Sequence, residues 1–542
     1  MGNVSRFDWR MPLKVGLLGG LIAMLIALVG MVEASQVRPV ITSLLSLGQT
    51  LLLLVFVFTA ATAARRSVGH EGSVGLLGVI NAGLAGLVTS AVLVGLVLVG
   101  GLINLRAVLI RASPELYDLL TLGLGRGRGS LALLALGVLL GVIVGVVYLL
   151  PARPRRAVTV GAGLVPVVAI LWSALFAGRG LSLLTAAIIF VAAAGLSYLW
   201  SLLQARVGDK DRPLSLAGQR AMQWGRWAVL GAIVVLFPLL GKFPSEVLDN
   251  VGLYVLMGLG LNIVVGFAGL LDLGYVAFFA LGAYTMGILT SPEIGWLGPR
   301  LTFWEALPFA VLMATLWGVI LGIPVLGMRG DYLAIVTLGF GEIIRLVVLS
   351  DWLKPYIGGS NGITRIPKPV LGPISLATPQ TLYYLLLAGC LLAGFIAIRL
   401  KDSRLGRAWM AMREDEDVAQ AMGIDLVKTK LLAFASGAAF SGLSGAIFAS
   451  KLTSVYPHSF HVLVSINALC VIIVGGMGSI PGVIAGAFAL VGLPELLREF
   501  AEYRLWVYGA ALVMMMLRRP EGLMPEARRR LELRETETGS ST

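Results

Sequence analysis

Residues able to do chemistry are scarce in this chain. The richest cluster is one charged stretch, Arg404-Leu-Gly-Arg-Ala-Trp-Met-Ala-Met-Arg-Glu-Asp-Glu416-Asp417-Val418-Ala419-Gln-Ala-Met-Gly423-Ile-Asp425. Its composition is helix-prone, and Gly423 can adopt the left-handed conformation that closes a helix. Small side chains at Ala419 and Ala421 would let a short helix enter a groove on a partner. A solvated amphipathic loop has the same composition. Asp272 stands in an apolar, glycine-rich run. A carboxylate at membrane depth costs about 2.5–3.5 kcal/mol on insertion scales. It should therefore face a polar path, a helix break or a basic partner, or else sit at the interfacial end of its helix. Glu342 and Arg345 share one helical face and are expected to form a structural ion pair. Gly358-Gly-Ser-Asn361-Gly362 is a run of turn formers, either a plain turn or a docking or gating loop.

Much chemistry is excluded. His458 and His461 have no acidic or cysteine partner nearby, so no metal site is expected, and three histidines cannot supply an acid–base or nucleophilic set. The phosphate-cradling loop of nucleotide hydrolases is absent: Gly241-Lys242 is followed by Phe243, which cannot ligate magnesium. No cofactor and no enzymatic activity are expected. Cys390 and Cys470 both lie in apolar stretches, so there is no disulfide or zinc framework.

The elements that must hold these residues are membrane helices. Of 542 residues, 58% are hydrophobic and 13% charged, and the mean hydropathy is +0.91. Soluble domains run at about 45–50% apolar and about 25% charged. The 68 glycines show no three-residue period, which excludes collagen. The expectation is an all-α, polytopic integral membrane protein. About sixteen apolar runs, from 11–32 to 503–517, are near the length of roughly 20 residues that a spanning helix needs. The first run is too long for a signal-peptide core and reads as an uncleaved helix. The net charge of +13 lies in loops between apolar runs, which indicates the bilayer and not nucleic acid as the partner. Basic clusters such as Arg65-Arg66, Arg153 to Arg156 and Arg404 to Lys430 then fall on one side, with both termini cytoplasmic. Arg106, Arg111, Arg126 and Arg128 oppose this alternation, so 104–130 is expected to be interfacial or re-entrant.

The polar loop near 205–225 divides the chain. Residues 1–225 form a membrane extension of about six spans with no assignable role. Residues 226–525 carry every motif, including the cytoplasmic loop 401–429, and 526–542 are a charged tail. Glycine costs about 1 kcal/mol inside a helix relative to alanine. Gly266, Gly269 and Gly274 around Asp272 and Tyr275 therefore suggest a helix break or close contact. Gly437, Ser441 and Gly445 recur every four residues, as do Gly478, Gly482 and Gly486. Such spacing makes close helix seams, within the chain or with a second subunit.

The motif Asp417-x-Ala419-x-x-x-Gly423 in a late loop resembles the coupling helix of ABC importer permeases. The wider chain resembles the M-type membrane permeases of branched-chain amino-acid ABC importers. The resemblance runs through Gly260 to Tyr284, Arg329 to Arg345, Gly358 to Ile363, Arg404 to Ala449, Gly475 to Gly482 and Arg519 to Leu523. It covers about 226–525 and leaves 1–225 outside. It implies an ABC importer permease core in the second half, in a bacterial inner membrane. It also implies a second, H-type permease, two ABC ATPase subunits, an extracytoplasmic substrate-binding protein and an amino-acid substrate. Glu416, Asp417, Val418, Ala419, Gly423 and Asp425 would form the coupling helix. Gly266, Gly269, Asp272, Gly274, Tyr275 and Asn361 would belong to the translocation path or its helix breaks. The alternatives are a urea or amide ABC importer permease and an ion-driven secondary transporter. The latter would carry more paired acids inside its spans and no coupling loop.

Overall fold

The computed structural model describes residues 9–36, 39–42, 45–66, 76–103, 113–175, 180–207, 231, 234–293, 300–328, 330–496, 509, 513, 515, 517, 519 and 521–525. The chain forms two compact units, Met1–Ala228 with Glu499–Tyr503, and Val229–Arg498 with Arg504–Thr542. Among the described residues, ten helices are long and apolar enough to cross a membrane, and three shorter apolar helices accompany them. Of the expected runs, 503–517 falls largely outside the described residues and 226–241 partly so, its described end being the short 3-10 turn Phe237–Leu240; the tail 526–542 lies outside.

The first unit contains α1 (Arg10–Leu28), α2 (Leu47–Arg66), α3 (Leu76–Leu102), α4 (Pro114–Leu120), α5 (Arg126–Leu149), α6 (Ala152–Leu175) and α7 (Leu183–Val207). Helix α3 packs on α1, α2 and α5, and α6 packs on α7. Small residues set the α3–α5 distance: a Cβ at Gly137 would lie 2.7 Å from the Gly86 carbonyl. Large apolar side chains such as Phe58, Leu131 and Leu196 face outward, as a lipid solvent permits. Within 104–130 the structure shows the seven-residue α4, capped by the Ser113 hydroxyl, which accepts the Leu116 N–H at 3.1 Å. Residues 104–112 lie outside the described set.

The second unit contains α8 (Lys242–Leu261), α9 (Val276–Thr290), α10 (Phe303–Val325), α11 (Asp331–Leu349), α12 (Pro379–Asp402), α13 (Arg404–Glu414), α14 (Glu416–Ala421), α15 (Leu426–Leu452), α16 (Val462–Gly475) and α17 (Ile480–Ala487). Helix α15 lies at its centre, against α8, α9 and α10. Gly437 faces the side chain of Val264, Gly442 faces Ala314, and Gly445 faces the backbone of Phe279. The seam on α15 is therefore filled from within this chain. Gly482 and Gly486 likewise seat α17 on α16, where a Cβ at Gly482 would lie 2.6 Å from the Gly475 carbonyl. Gly478 corrects the expected spacing. It lies in the turn before α17 at φ 81°, not on the helix, because Ser479 caps the first turn by accepting the Gly482 N–H at 3.1 Å.

The expected span 270–290 also differs. Helix α9 begins only at Val276 and has 15 residues, about 22 Å at 1.5 Å per residue. That is short of the roughly 30 Å hydrocarbon core, and the preceding segment 268–275 is not helical.

Candidate functional site: a broken helix tied to a loop lever

Helix α8 ends in a wide π turn, Asn262–Phe267, before the chain breaks. Non-helical backbone is tolerated at membrane depth only when buried in protein or lining a cavity, and its polar groups must find partners. They do. The N–H groups of Ala268 and Leu270 return to the carbonyls of Ile263 and Val264 at 3.1 and 3.0 Å. Leu273 N–H donates to Thr337 Oγ1 of α11 at 3.0 Å. Gly274 N–H donates to Asp272 Oδ1 at 2.9 Å, and Val276 N–H donates to Ser465 Oγ of α16 at 2.8 Å. Asp272 is fully buried, in the non-helical segment between the π turn and α9. Tyr275, also fully buried, donates its hydroxyl to the Gly437 carbonyl at 2.8 Å, while its own carbonyl accepts the Ser441 hydroxyl at 3.3 Å. Gly274 must be glycine: a Cβ there would lie 2.6 Å from the Thr337 carbonyl carbon.

The loop 401–429 folds against this break. It forms two helices, because Asp415 leaves helical geometry and caps α14, its Oδ1 accepting the N–H groups of Asp417 and Val418 at 2.8 and 3.0 Å. Arg413, at the end of α13, reaches the break. Its Nη1 donates to the Gly266 carbonyl at 2.7 Å, and its Cγ would lie 2.6 Å from a Cβ on Gly269, which adopts φ 72°. Asn262 Oδ1 accepts the Gly478 N–H at 2.8 Å, and Lys401 Nζ lies 5.7 Å from the centre of the Phe267 ring. The segment after Gly522 closes the same end, with Leu523 and Met524 N–H donating to the carbonyls of Val474 and Gly475 at 2.8 and 2.9 Å.

Helix α14 is fixed from below. Glu416 pairs with Lys430 of α15 at 2.9 Å, and Lys430 is only 3% exposed. Trp409 Nε1 donates to the Thr429 carbonyl at 2.9 Å. Gly423 ends the motif at φ 86°. Ala419 corrects the expectation of a partner-facing small residue. It is 3% exposed and points into the core, while Val418 and Met422 are 59% and 79% exposed. Asp425 caps α15, not α14, accepting the Lys428 N–H at 3.1 Å. Hydrogen bonds from the Lys428 backbone and side chain hold its carboxyl below the usual carboxylate range. This cap is therefore complete at neutral pH and is lost only as the pH falls through that lowered pKa.

Where the break ends, a cleft begins between α9 and α11. Val276, Ala280 and Tyr284 line one wall, Ile344 and Arg345 the other, and Phe460 closes it. Arg345 and Glu342 pair through two guanidinium nitrogens, with Nε 2.9 and 3.0 Å from the two carboxylate oxygens. The buried Tyr284 hydroxyl has no hydrogen-bond partner among the described residues. The cleft volume is ≈ 10 Å³, room for about one water molecule. Asn361 is not brought to this site. It is exposed, in the turn Gly359–Asn361. That loop joins the other end of α9, where Ser291 Oγ donates to the Thr364 carbonyl at 2.7 Å.

Sequence reasoning missed Arg413, Asn262, Thr337, Lys401 and Lys430. Asn262 carried a signal, a lone amide in an apolar run. The others required knowing which loop folds under which break.

A bundle of apolar helices, one broken and braced by a polar loop, is the architecture of a multi-pass membrane protein, and comparison with known proteins gives its class as a transport permease. Residues 243–517 match the family described as branched-chain amino acid transport system / permease component. The chain is 42% identical over 305 residues to the high-affinity branched-chain amino acid transport system permease protein LivM of Escherichia coli K12, an alignment covering 52% of this chain and 70% of that relative. It is 23% identical over 334 residues to a probable LivM of Methanocaldococcus jannaschii, covering 52% of this chain and 93% of the relative. To the LivH permease of Escherichia coli K12 it is 25% identical over 293 residues, covering 50% and 91%. No solved structure matches the chain. The chain belongs to the branched-chain amino acid permease family; it is a multi-pass inner-membrane transport subunit and not an enzyme.

Proposed function

We propose that this chain is the M-type permease of an ATP-driven importer for branched-chain and other hydrophobic amino acids. It pairs with an H-type permease and two cytoplasmic ATPases, and an extracytoplasmic binding protein delivers the cargo. Both termini and the loop 401–429 lie in the cytoplasm. The observation that carries this reading is the lever itself. Val418 of α14 and Met422 just after it are exposed, while Arg413, before α14, donates to the Gly266 carbonyl at the break.

The mechanism is alternating access. ATP-driven closure of the ATPases moves α14, and the rigid pair α13–α14 carries that motion through Arg413 into the segment 266–275. The cleft at the start of α9 then opens. Its apolar wall suits an aliphatic side chain. Arg345 and the unpartnered Tyr284 hydroxyl suit a carboxylate or amine. The ATPases must bind the two states with different affinity to supply the energy.

The test uses the reconstituted complex. Val418→Asp with Met422→Asp should abolish substrate-stimulated ATP hydrolysis while the permease still inserts and assembles. Unchanged hydrolysis refutes the lever. Uptake by this chain alone under an ion gradient would establish the secondary-transporter alternative, and uptake of urea in preference to leucine would establish the urea branch.

A further inference from the structure

The first unit holds a pocket of ≈ 520 Å³ lined by Arg65 of α2, Tyr148 of α5, Arg153, Arg155 and Arg156 of α6, and Ser201 of α7. Tyr148 is buried at 6% exposure and organises it. Arg65 Nε donates to the Tyr148 hydroxyl at 2.7 Å. The guanidinium carbons of Arg65 and Arg155 lie 5.6 and 5.8 Å from the centre of its ring. Two cations are thus held in place by one aromatic ring, and two more stand beside them.

Two features suit this arrangement to an anion. No carboxylate lines the pocket among the described residues, so its four arginines give it a strongly positive lining. Arg153, Arg155 and Arg156 also open α6, whose first turn holds no acidic residue. The positive end of a helix dipole favours anions and disfavours cations. Both features become favourable with a phosphate in the pocket, since the helix N-terminus binds phosphate and arginine forks grip it bidentately.

We propose that this pocket binds the phosphate of an anionic phospholipid. The lipid source is favoured over free phosphate by what adjoins the site. Leu149 of α5, Leu150 just after it, and Val160 and Leu164 of α6 are 42%, 37%, 41% and 42% exposed, apolar side chains on the elements that carry Tyr148 and Arg153 to Arg156 and open to an acyl chain. Basic pockets between membrane helices bind headgroups in this way. The site gives the N-terminal unit a chemical role, anchoring to anionic lipid, independent of the transport path.

The experiment is native mass spectrometry of the full-length chain in detergent, titrated separately with dioleoyl phosphatidylglycerol, dioleoyl phosphatidylcholine and inorganic phosphate. Wild type should bind phosphatidylglycerol at least about tenfold more tightly than phosphatidylcholine. Arg65→Gln with Arg155→Gln should remove that preference. Arg65→Lys with Arg155→Lys should retain part of it, because charge survives while the planar fork is lost. Lys354→Gln, in the second unit, should change nothing. Equal binding of the two lipids, or an unaltered preference in the double glutamine variant, overturns the proposal. Saturation by inorganic phosphate without any phosphatidylglycerol preference overturns the lipid source.

Discussion

Arg413 Nη1 donates to the Gly266 carbonyl at 2.7 Å, across 147 residues of sequence. The donor ends the first helix of the loop, and the acceptor lies in the π turn where α8 fails. A charged donor on a backbone acceptor contributes about 1.5–3 kcal/mol. Arg413→Ala should lower substrate uptake by the reconstituted importer at least about tenfold, with membrane level unchanged. Arg413→Lys should fall between, since lysine donates without the fork. Wild-type uptake by the alanine variant would show that the contact transmits nothing.

Glu416 and Lys430 form the buried anchor of α14. Removing one partner of a buried pair costs about 3–5 kcal/mol, whereas replacing both with apolar residues is often neutral. Glu416→Ala should therefore lower the Tm of the purified permease clearly more than Glu416→Leu combined with Lys430→Met. The reverse order of the two melting temperatures would contradict the anchor.

The cleft between α9 and α11 separates a structural ion pair from a substrate contact. Ala280→Phe should block uptake while leaving insertion normal, because the closed cleft has no spare volume. Arg345→Gln should reduce uptake, and adding Glu342→Gln should not restore it. Restoration in the double variant would mean that Arg345 serves only to neutralise Glu342.

Glycines at helix crossings divide by what a methyl group would meet. At Gly282 a Cβ would lie 2.6 Å from the Gly442 Cα, where α9 crosses α15, whereas at Gly339 it meets nothing within 4 Å. Gly282→Ala should lower both yield and Tm. Gly339→Ala should match wild type or gain up to about 1 kcal/mol, since glycine weakens a helix interior. Thermal melts of the two variants side by side decide this.

Much of this architecture was legible in the residues taken alone. Long apolar runs, with lipid as solvent, leave helices as the economical solution. Gly423 announced the end of α14, and the four-residue spacing of Gly437, Ser441 and Gly445 announced a seam. The glycines near Asp272 announced a break, though not that the helix would restart only at Val276. Period and composition are local properties, and each of these features depends on neighbours within a few residues.

Which surfaces meet is not local, and there the tertiary structure decided. Ala419 reads as a partner-facing residue until α14 is docked, when Glu416 draws it inward onto α15 and leaves Val418 and Met422 outside. Gly478 has helical spacing, yet the Ser479 cap and the Asn262 side chain hold it in a turn. Arg413 and Gly266, or Arg65 and the Tyr148 side chain 83 residues away, become neighbours only when distant segments pack. Their contacts follow from the shape of the whole bundle, which no short stretch of sequence contains.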